Sequence, residues 1–213
     1  DCKNITADTK NNTYATENGI LYNADKTTLV YCPTAHEDNP VISTKCRSIA
    51  NGAFADTVKV NAVSLPYDVT EIEANALNAA TIKKVIVKNE NANIADETSI
   101  AKSAKIYGFK NSTAIAFATQ NDRDNYVYTT IGDNFFEESA MTEYVVPDNI
   151  VSIGNDAFRN CKSLKKVTLS DTTASIGEYA FAGDSALKEL DLSNVKEIHT
   201  GAFSECNTLT HVT

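Results

Sequence analysis

The sequence lacks the motifs by which most enzyme and metal sites are recognised. It contains no Cys-x-x-Cys pair and no His-Glu-x-x-His motif, and its three histidines, His36, His199 and His211, lie far apart. Five cysteines are too few for a disulfide-rich scaffold and are not spaced as zinc ligands. No nucleophile beside a base and no glycine-rich phosphate loop is present. We therefore expect no catalytic residues, no metal and no cofactor.

Long apolar runs and clusters of basic residues are also missing. No run approaches the roughly 20 apolar residues that span a bilayer, so no membrane insertion is expected. The formal net charge is −9, and the lysines and arginines are scattered. Nucleic-acid binding depends on clustered basic residues, so nucleic acid is not an expected partner. With 42% hydrophobic and 22% charged residues, the chain has the composition of a protein that forms a core.

What the sequence does contain is a repeat of about 22 residues. "SIGNDAFRNCKSLKKVTLS", at 152–170, is followed by "SIGEYAFAGDSALKELDLS", at 175–193, and the two share their apolar letters while most polar letters differ. Each copy begins with an isoleucine, has an Ala-Phe pair or its equivalent four residues later, and ends in an alternating stretch. The isoleucine anchors are Ile49, Ile72, Ile131, Ile153, Ile176 and Ile198, with a weaker copy at Ile94. This periodicity is typical of a solenoid.

The alternation within each copy predicts how successive coils stack. In "LKKVTLS", Val167 and Leu169 point to one side of a strand, while Lys166 and Thr168 point to the other. The Ala-Phe segment favours one or two turns of helix. Neither piece can bury its apolar side alone, so each strand must lie about 4.8 Å from the strand of the next coil, with phenylalanine packed on phenylalanine. We therefore expect an α/β repeat solenoid with parallel β-strands and short helical turns.

The repeat resembles the unit of the BspA-like leucine-rich repeat family, and the resemblance covers residues 48–100 and 126–213. Two further stretches are similar to companions of such repeats. "NGILYNADKTTLVYCP", at 18–33, resembles the hairpin that precedes a repeat block, and "AKIYGFKNSTAIAFATQND", at 104–122, resembles the strand and helix that close one. The resemblance implies a right-handed leucine-rich-repeat superhelix. It also implies an exported bacterial protein, extracellular or on the cell surface, that binds a host extracellular protein, another cell surface or a glycan.

The pattern divides the chain into four segments. These are an N-terminal tail and capping hairpin at 1–47, a first repeat block at 48–108, an inserted helix or connector at 109–125, and a second repeat block at 126–213. The polar residues up to about 17 are expected to be loosely ordered. The hairpin is expected to cover the first coil, Ser112 or Thr113 to cap the inserted helix, and the two blocks to form one continuous solenoid.

The candidate binding residues are the outward-facing positions of the predicted strands, which would line the concave face of a horseshoe. They are Lys84, Ile86, Glu143, Val145, Lys166, Thr168, Glu189, Asp191 and His211. The alternative for a charged pair such as Lys166 and Glu189 is that the two side chains only pair with each other, for about 0.2–1 kcal/mol.

Two roles are consistent with these residues. The first is an adhesive, non-enzymatic binding module. The second is a structural spacer in a larger secreted enzyme or anchored protein, and the last copy favours it because it stops within a strand, at "LTHVT".

The cysteines give one further expectation. Cys32 and Cys46 flank the loop after the hairpin, and a disulfide between them is possible in an exported protein. Cys161 and Cys206 occupy the same column of the repeat two coils apart, about 10 Å, which exceeds the reach of a disulfide. They are expected to be small buried core residues.

Overall fold

The computed structural model describes residues 2–213 and divides into two compact units, one ending at Val127 and the other running from Tyr128 to Thr213. Each unit is a parallel β-solenoid. A coil contributes a two-residue strand to one sheet and a strand of two to four residues to a second sheet, and a turn connects them.

The first unit contains ten strands and one helix among its described residues. The strands are β1 (Tyr14–Glu17), β2 (Ile20–Asn23), β3 (Thr28–Tyr31), β4 (Ser48–Ile49), β5 (Ala62–Leu65), β6 (Glu71–Ile72), β7 (Lys84–Val87), β8 (Asn93–Ile94), β9 (Lys105–Gly108) and β10 (Asn125–Val127), and the helix is α1 (Thr113–Gln120). One sheet has the order β1-β2-β3-β4-β6-β8, and the other has the order β10-β9-β7-β5. The pairs β1–β2 and β2–β3 are antiparallel, and all the others are parallel.

The second unit contains eight strands in two parallel sheets. The strands are β11 (Thr130–Ile131), β12 (Glu143–Val145), β13 (Ser152–Ile153), β14 (Lys166–Thr168), β15 (Ser175–Ile176), β16 (Glu189–Leu190), β17 (Glu197–Ile198) and β18 (His211–Val212). The sheet orders are β11-β13-β15-β17 and β12-β14-β16-β18. The pairing is in register with the repeat, because Ile131 lies beside Ile153, Ile153 beside Ile176, and Ile176 beside Ile198.

The isoleucine anchors therefore lie in strands of their own, which the sequence pattern did not predict. Each of β4, β6, β8, β11, β13, β15 and β17 is a two-residue strand that ends on an anchor isoleucine. Two residues are too few to show alternation, so periodicity could not reveal these strands.

The short helical turns predicted around the Ala-Phe pairs are not present. In the second unit the residues two before and two after each repeat phenylalanine have positive φ, for example Asn134 and Glu138 on either side of Phe136, with φ of 54° and 58°. A right-handed helix needs negative φ at every residue, so these positions interrupt it. Their full set is Asn134, Glu138, Asp156, Asn160, Tyr179, Gly183, Gly201 and Glu205. α1 is the one α-helix among residues 2–213.

These turns form hydrogen bonds to the next coil in addition to the bonds within each turn. The amide of Phe158 donates to the carbonyl of Ala180 at 2.7 Å, and the amide of Phe181 donates to the carbonyl of Ala202 at 2.8 Å. The turns thus form a third hydrogen-bonded ladder along the unit, beside its two sheets.

The repeat phenylalanines form a single file, as the stacking argument predicted. Ring centroids are 5.0 Å apart between Phe136 and Phe158, 5.0 Å between Phe158 and Phe181, and 5.6 Å between Phe181 and Phe203. The last two pairs are nearly parallel, at 6° and 10°. A fully buried phenylalanine stabilises a fold by about 1.5–3 kcal/mol, so this file is a main part of the core of the second unit.

A glycine column allows the coils to approach closely at the turn after the anchor isoleucine. A Cβ at Gly177 would lie 2.6 Å from a backbone carbon of Gly154, and a Cβ at Gly154 would lie 2.8 Å from one of Gly132. At these two positions a side chain would force the coils apart, which explains why the two strongest copies begin with Ser-Ile-Gly.

At the amino end the structure contains the predicted hairpin and one strand more. β2 and β3 pair antiparallel as expected, but β1, in the stretch predicted to be loosely ordered, pairs with β2 through the two-residue loop Asn18-Gly19. Both loop residues have positive φ, at 51° and 78°, as a tight hairpin turn requires. The Lys26 ammonium also lies 2.6 Å from the Glu17 carboxylate.

The predicted inserted helix is present as α1. Its N-cap is Ser112, whose hydroxyl accepts a hydrogen bond from the amide of Ile115 at 3.3 Å. Ala114, Phe117 and Ala118 form its buried side. None of the described helices is long and apolar enough to cross a membrane.

Candidate functional site

The sheet formed by β12, β14, β16 and β18 brings most of the predicted binding residues together on one face. Alternation buries Val167 in β14, which is 4% exposed, and leaves Lys166 and Thr168 in solvent. Parallel in-register pairing then aligns equivalent positions in rows across the strands. The first row is Glu143, Lys166, Glu189 and His211. A second row contains Val145, which is 66% exposed, beside Thr168.

A cleft of about 290 Å³ opens across β14, β16 and β18. Five of the predicted residues line it, namely Lys166, Thr168, Glu189, Asp191 and His211. Its remaining wall includes the turns that follow the strands, with Ser170, Asp171 and Asn194. We call this feature the strand cleft. Glu143 and Val145 are exposed on the same sheet but do not line it.

The charges in the strand cleft are not neutralised by pairing across the strands. Lys166 lies beside Glu189 in register, yet among the described residues no carboxylate comes within the 4.0 Å of an ion pair to its ammonium. The Lys166–Glu189 pair considered as the alternative is therefore not formed. Both side chains point into solvent and can contact a ligand.

The acidic wall of the cleft is held in place by its own turns. The hydroxyl of Ser193 donates to Oδ1 of Asp191, the amide of Ser193 donates to the same atom at 2.9 Å, and these bonds lower the pKa of the Asp191 carboxyl. Asp171 accepts a hydrogen bond from the Asn194 side chain at 3.2 Å. With Glu189, the cleft presents three carboxylates and the one ammonium of Lys166. Its chemistry therefore suits a polar ligand with hydrogen-bond donors or a positive charge.

In the first unit, Lys84 and Ile86 lie half-buried on β7, within a face that extends further than the sequence suggested. Lys105 and Tyr107 of β9 lie beside them in register, and Tyr126 of β10 lies beside Tyr107. Sequence reasoning missed these three residues because β9 belongs to the weaker copy at Ile94 and β10 follows α1. The alternation in "KIYG" and in "NYVYTT" was the signal that could have found them.

The family follows from the repeats themselves. A model of the BspA type leucine rich repeat region matches residues 26–117 and 129–213, with six copies. These matched segments contain the coils, the hairpin strand β3 and the strand cleft. The chain belongs to the BspA-type leucine-rich repeat family. No curated protein matches the sequence.

Solved leucine-rich repeat structures are similar to this BspA-type chain over nearly all of its length. One is a leucine rich cell surface protein from Faecalibacterium prausnitzii, 25% identical, with 97% of this chain and 55% of that chain covered and a TM-score of 0.41. A leucine-rich repeat protein from Bacteroides ovatus is 24% identical, with 94% and 51% covered and a TM-score of 0.41. One from Bacteroides capillosus is 23% identical, with 94% and 96% covered and a TM-score of 0.39. The chain spans about half the length of the first two.

The cysteines of this BspA-type chain are free thiols, and among the described residues none is in a disulfide. Cys32 and Cys46, predicted as a possible disulfide, are both fully buried, and the Cys46 thiol donates to the carbonyl of Ser48 at 3.3 Å. Burial raises their pKa values to about 12 and about 11. Cys161 and Cys206 are buried as expected for core residues.

The three histidines of the described chain lie in different environments. Within residues 2–213 no group of three histidines, cysteines, aspartates or glutamates is placed to hold a metal ion. His199 and His211 are exposed, and His36 is buried with its ring nitrogens 2.9 Å and 3.0 Å from the carbonyls of Glu37 and Asn18. The strand cleft and the face of the first unit are thus the candidate sites for binding.

Proposed function

We propose that this BspA-type chain is a non-enzymatic binding module of an exported bacterial protein, which acts outside the cell or on its surface. It holds a host extracellular protein, another cell surface or a glycan through the exposed faces of its longer strands. Adhesion is the role that fits such a module. The strand cleft is the observation that carries this proposal, because it gathers the exposed side chains of Lys166, Glu189 and His211, which do not contribute to the core.

The support is energetic as well as geometric. Buried side chains of the repeat, such as Val167 and Leu190, are required by the core, whereas Lys166, Glu189 and His211 make no such contribution. A rigid parallel sheet keeps these exposed side chains at fixed spacing, so little backbone conformational freedom is lost when a partner binds. Repeat proteins offer extended surfaces of this kind for recognition.

A binding screen with matched variants tests the proposal. The purified chain is screened against immobilised extracellular-matrix proteins and a glycan array. The double variant Lys166→Glu with Glu189→Lys rearranges the charges in the strand cleft, while Lys162→Glu with Glu178→Lys makes the same exchange at exposed sites outside it. We expect the first pair of changes to abolish binding of a captured partner and the second to leave binding unchanged.

The opposite results have distinct meanings. If a captured partner binds both double variants equally well, the strand cleft is not its binding site. If the screen finds no partner at all, the result favours the structural spacer that was the alternative to a binding module.

A further inference from the structure

We propose that the exposed face of β7, β9 and β10 in the first unit binds an acidic saccharide, a sugar that bears a carboxylate or a sulfate. We call it the tyrosine face and define it as Lys84, Ile86, Lys105, Tyr107 and Tyr126. The inference rests on the proposed function, binding through exposed strand faces, and adds a ligand class and three residues that the repeat pattern did not reveal.

The tyrosine face consists of two rows that differ in chemistry. Lys84 pairs with Lys105 in register, which makes one row cationic. In the next row Ile86 pairs with Tyr107, and Tyr107 with Tyr126, so that row is apolar and aromatic. Because the three strands are parallel and in register, the rows run side by side. A ligand lying across the face meets aromatic side chains and two positive charges together.

The aromatic row holds its two tyrosine rings in contact, with the ring of Tyr126 the more exposed. The ring centroids of Tyr107 and Tyr126 are 5.3 Å apart, with an angle of 36° between the rings, and Tyr126 is 46% exposed. Aromatic rings carry a negative face. The C–H face of a pyranose is apolar with slightly positive hydrogens, so it packs well on such rings.

The lysines lie against this aromatic row rather than extending into solvent. The Lys84 ammonium is 4.7 Å from the centroid of Tyr107, and the Lys105 ammonium is 5.9 Å from it. Cation–π contacts of this kind hold the charges over the ring of Tyr107, beside the more exposed ring of Tyr126, on which a sugar can stack. A carboxylate or sulfate on the stacked sugar would lie within reach of both.

Within residues 2–213 neither lysine of the face is in an ion pair, although the exposed Asp124, which precedes β10, lies beside Lys105. Neither Lys84 nor Lys105 has a carboxylate within the 4.0 Å of an ion pair among the described residues. Like charges directly opposite on neighbouring strands destabilise a sheet. The chain as a whole carries a net charge of −9, so two adjacent positive charges are opposite in sign to the net charge of the molecule. An anion bound between the two lysines relieves their repulsion.

The paired rings favour a saccharide over an acidic peptide. A peptide anion needs the ammonium groups but gains little from two adjacent flat rings. A single-stranded nucleic acid would use both, so it is included in the test as a competing outcome.

The test measures binding of the purified chain to uronic-acid, sialic-acid and sulfated oligosaccharides, with their neutral counterparts, a polyglutamate peptide and a single-stranded oligonucleotide as comparisons. Tyr126→Ala is expected to weaken binding of the acidic sugar roughly tenfold. Lys84→Gln with Lys105→Gln is expected to remove the preference for acidic over neutral sugars.

Matched controls lie in the same unit. Tyr14→Ala removes a tyrosine that is 42% exposed on β1, and Lys83→Gln removes a neighbouring ammonium that bonds to the Ala80 carbonyl at 2.6 Å and the Ser103 hydroxyl at 3.0 Å. Both are expected to bind as the unchanged chain does. Equal melting temperatures would confirm that each variant is folded.

Several results would overturn the inference. These are acidic-sugar binding that Tyr126→Ala leaves unchanged, tighter binding of polyglutamate or the oligonucleotide than of any acidic sugar, or no acidic-sugar binding at all. The proposed function is tested separately. If the strand-cleft double variant no longer binds a captured partner, the proposed function is supported even if the tyrosine face binds no sugar.

Discussion

Asp184 provides the sharpest test of the packing of the second unit. It is fully buried, in the column that Cys161 and Cys206 occupy in the neighbouring coils. Its Oδ1 accepts a hydrogen bond from the amide of Cys161 at 2.8 Å, but its Oδ2 has no hydrogen-bond partner among the described residues. Burial raises the pKa of this carboxyl from 3.8 to about 8, so the folded protein holds a neutral carboxylic acid at pH 7.

The raised pKa makes stability depend on pH in a definite direction. Between pH 4 and pH 8 the folded chain keeps the Asp184 proton and the unfolded chain loses it. The unfolded state therefore binds fewer protons, and each pH unit in this window lowers the free energy of unfolding by about 1.4 kcal/mol. From pH 4 to pH 7 the loss through this group is about 4 kcal/mol, and it levels off above the folded pKa.

Asp184→Asn removes the titration while it keeps the size of the side chain and the acceptor for the Cys161 amide. The thiols of Cys161 and Cys206 donate to the carbonyls of Phe136 and Phe181, at 3.1 Å and 2.9 Å, so the repeat provides a matching backbone acceptor for an amide at position 184. We expect the variant to equal the unchanged chain at pH 4 and to be about 4 kcal/mol more stable at pH 7.

The assay is urea-induced unfolding followed by circular dichroism at pH 4, 5.5, 7 and 8.5. Asp171→Asn, at an exposed site in the same unit, controls for the loss of one acidic group. The reasoning is refuted if Asp184→Asn shows no gain in stability over the unchanged chain as the pH rises, because Asp184 would then be ionised in the folded state.

Three more predictions concern packing and the cysteines. Gly177→Ala places a Cβ 2.6 Å from the backbone of the preceding coil and should cost about 1–3 kcal/mol, whereas Gly132→Ala, whose Cβ would meet nothing nearer than 3.8 Å, should be neutral or slightly stabilising in the same urea titration. Phe181→Ala leaves a cavity in the middle of the phenylalanine file and should cost about 3–5 kcal/mol, and a smaller loss would mean that the neighbouring rings close the gap. Since burial shields the thiols of Cys32 and Cys46, a maleimide should label them only after unfolding, and rapid labelling of the folded chain would contradict their burial.

The spacing of the isoleucines and phenylalanines was enough to predict the register of the coils, because these side chains are buried against their own copies. Phe158 and Phe181 stack as the 23-residue offset between them requires. The N-cap signal at Ser112 or Thr113 likewise predicted the start of α1, and Ser112 is the N-cap. The repeat therefore determined where the core lies and which strands pair.

The turns could not be predicted in the same way. Ala-Phe segments look helical by composition, and only the backbone angles at positions such as Asp156, Asn160 and Gly183 show that they are not. Asn, Asp and Gly tolerate positive φ, so the signal was present but local. For the candidate sites, alternation identified five of the residues that line the strand cleft. Tyr107 and Tyr126 were missed because β9 belongs to the weaker copy at Ile94 and β10 follows α1.

The ladder formed by the Ala-Phe turns bears on how such a molecule can change its length. Every coil in the second unit presents equivalent amides, carbonyls and rings to its neighbour. A stretch of 22 or 23 residues could therefore be duplicated or deleted, and the coils on either side would still pair and pack. An insertion of one residue within a strand would instead turn its core side chains outward. Duplication of whole coils can therefore enlarge the exposed strand face without disturbing the core. The exposed residues of the new coil can then change in sequence.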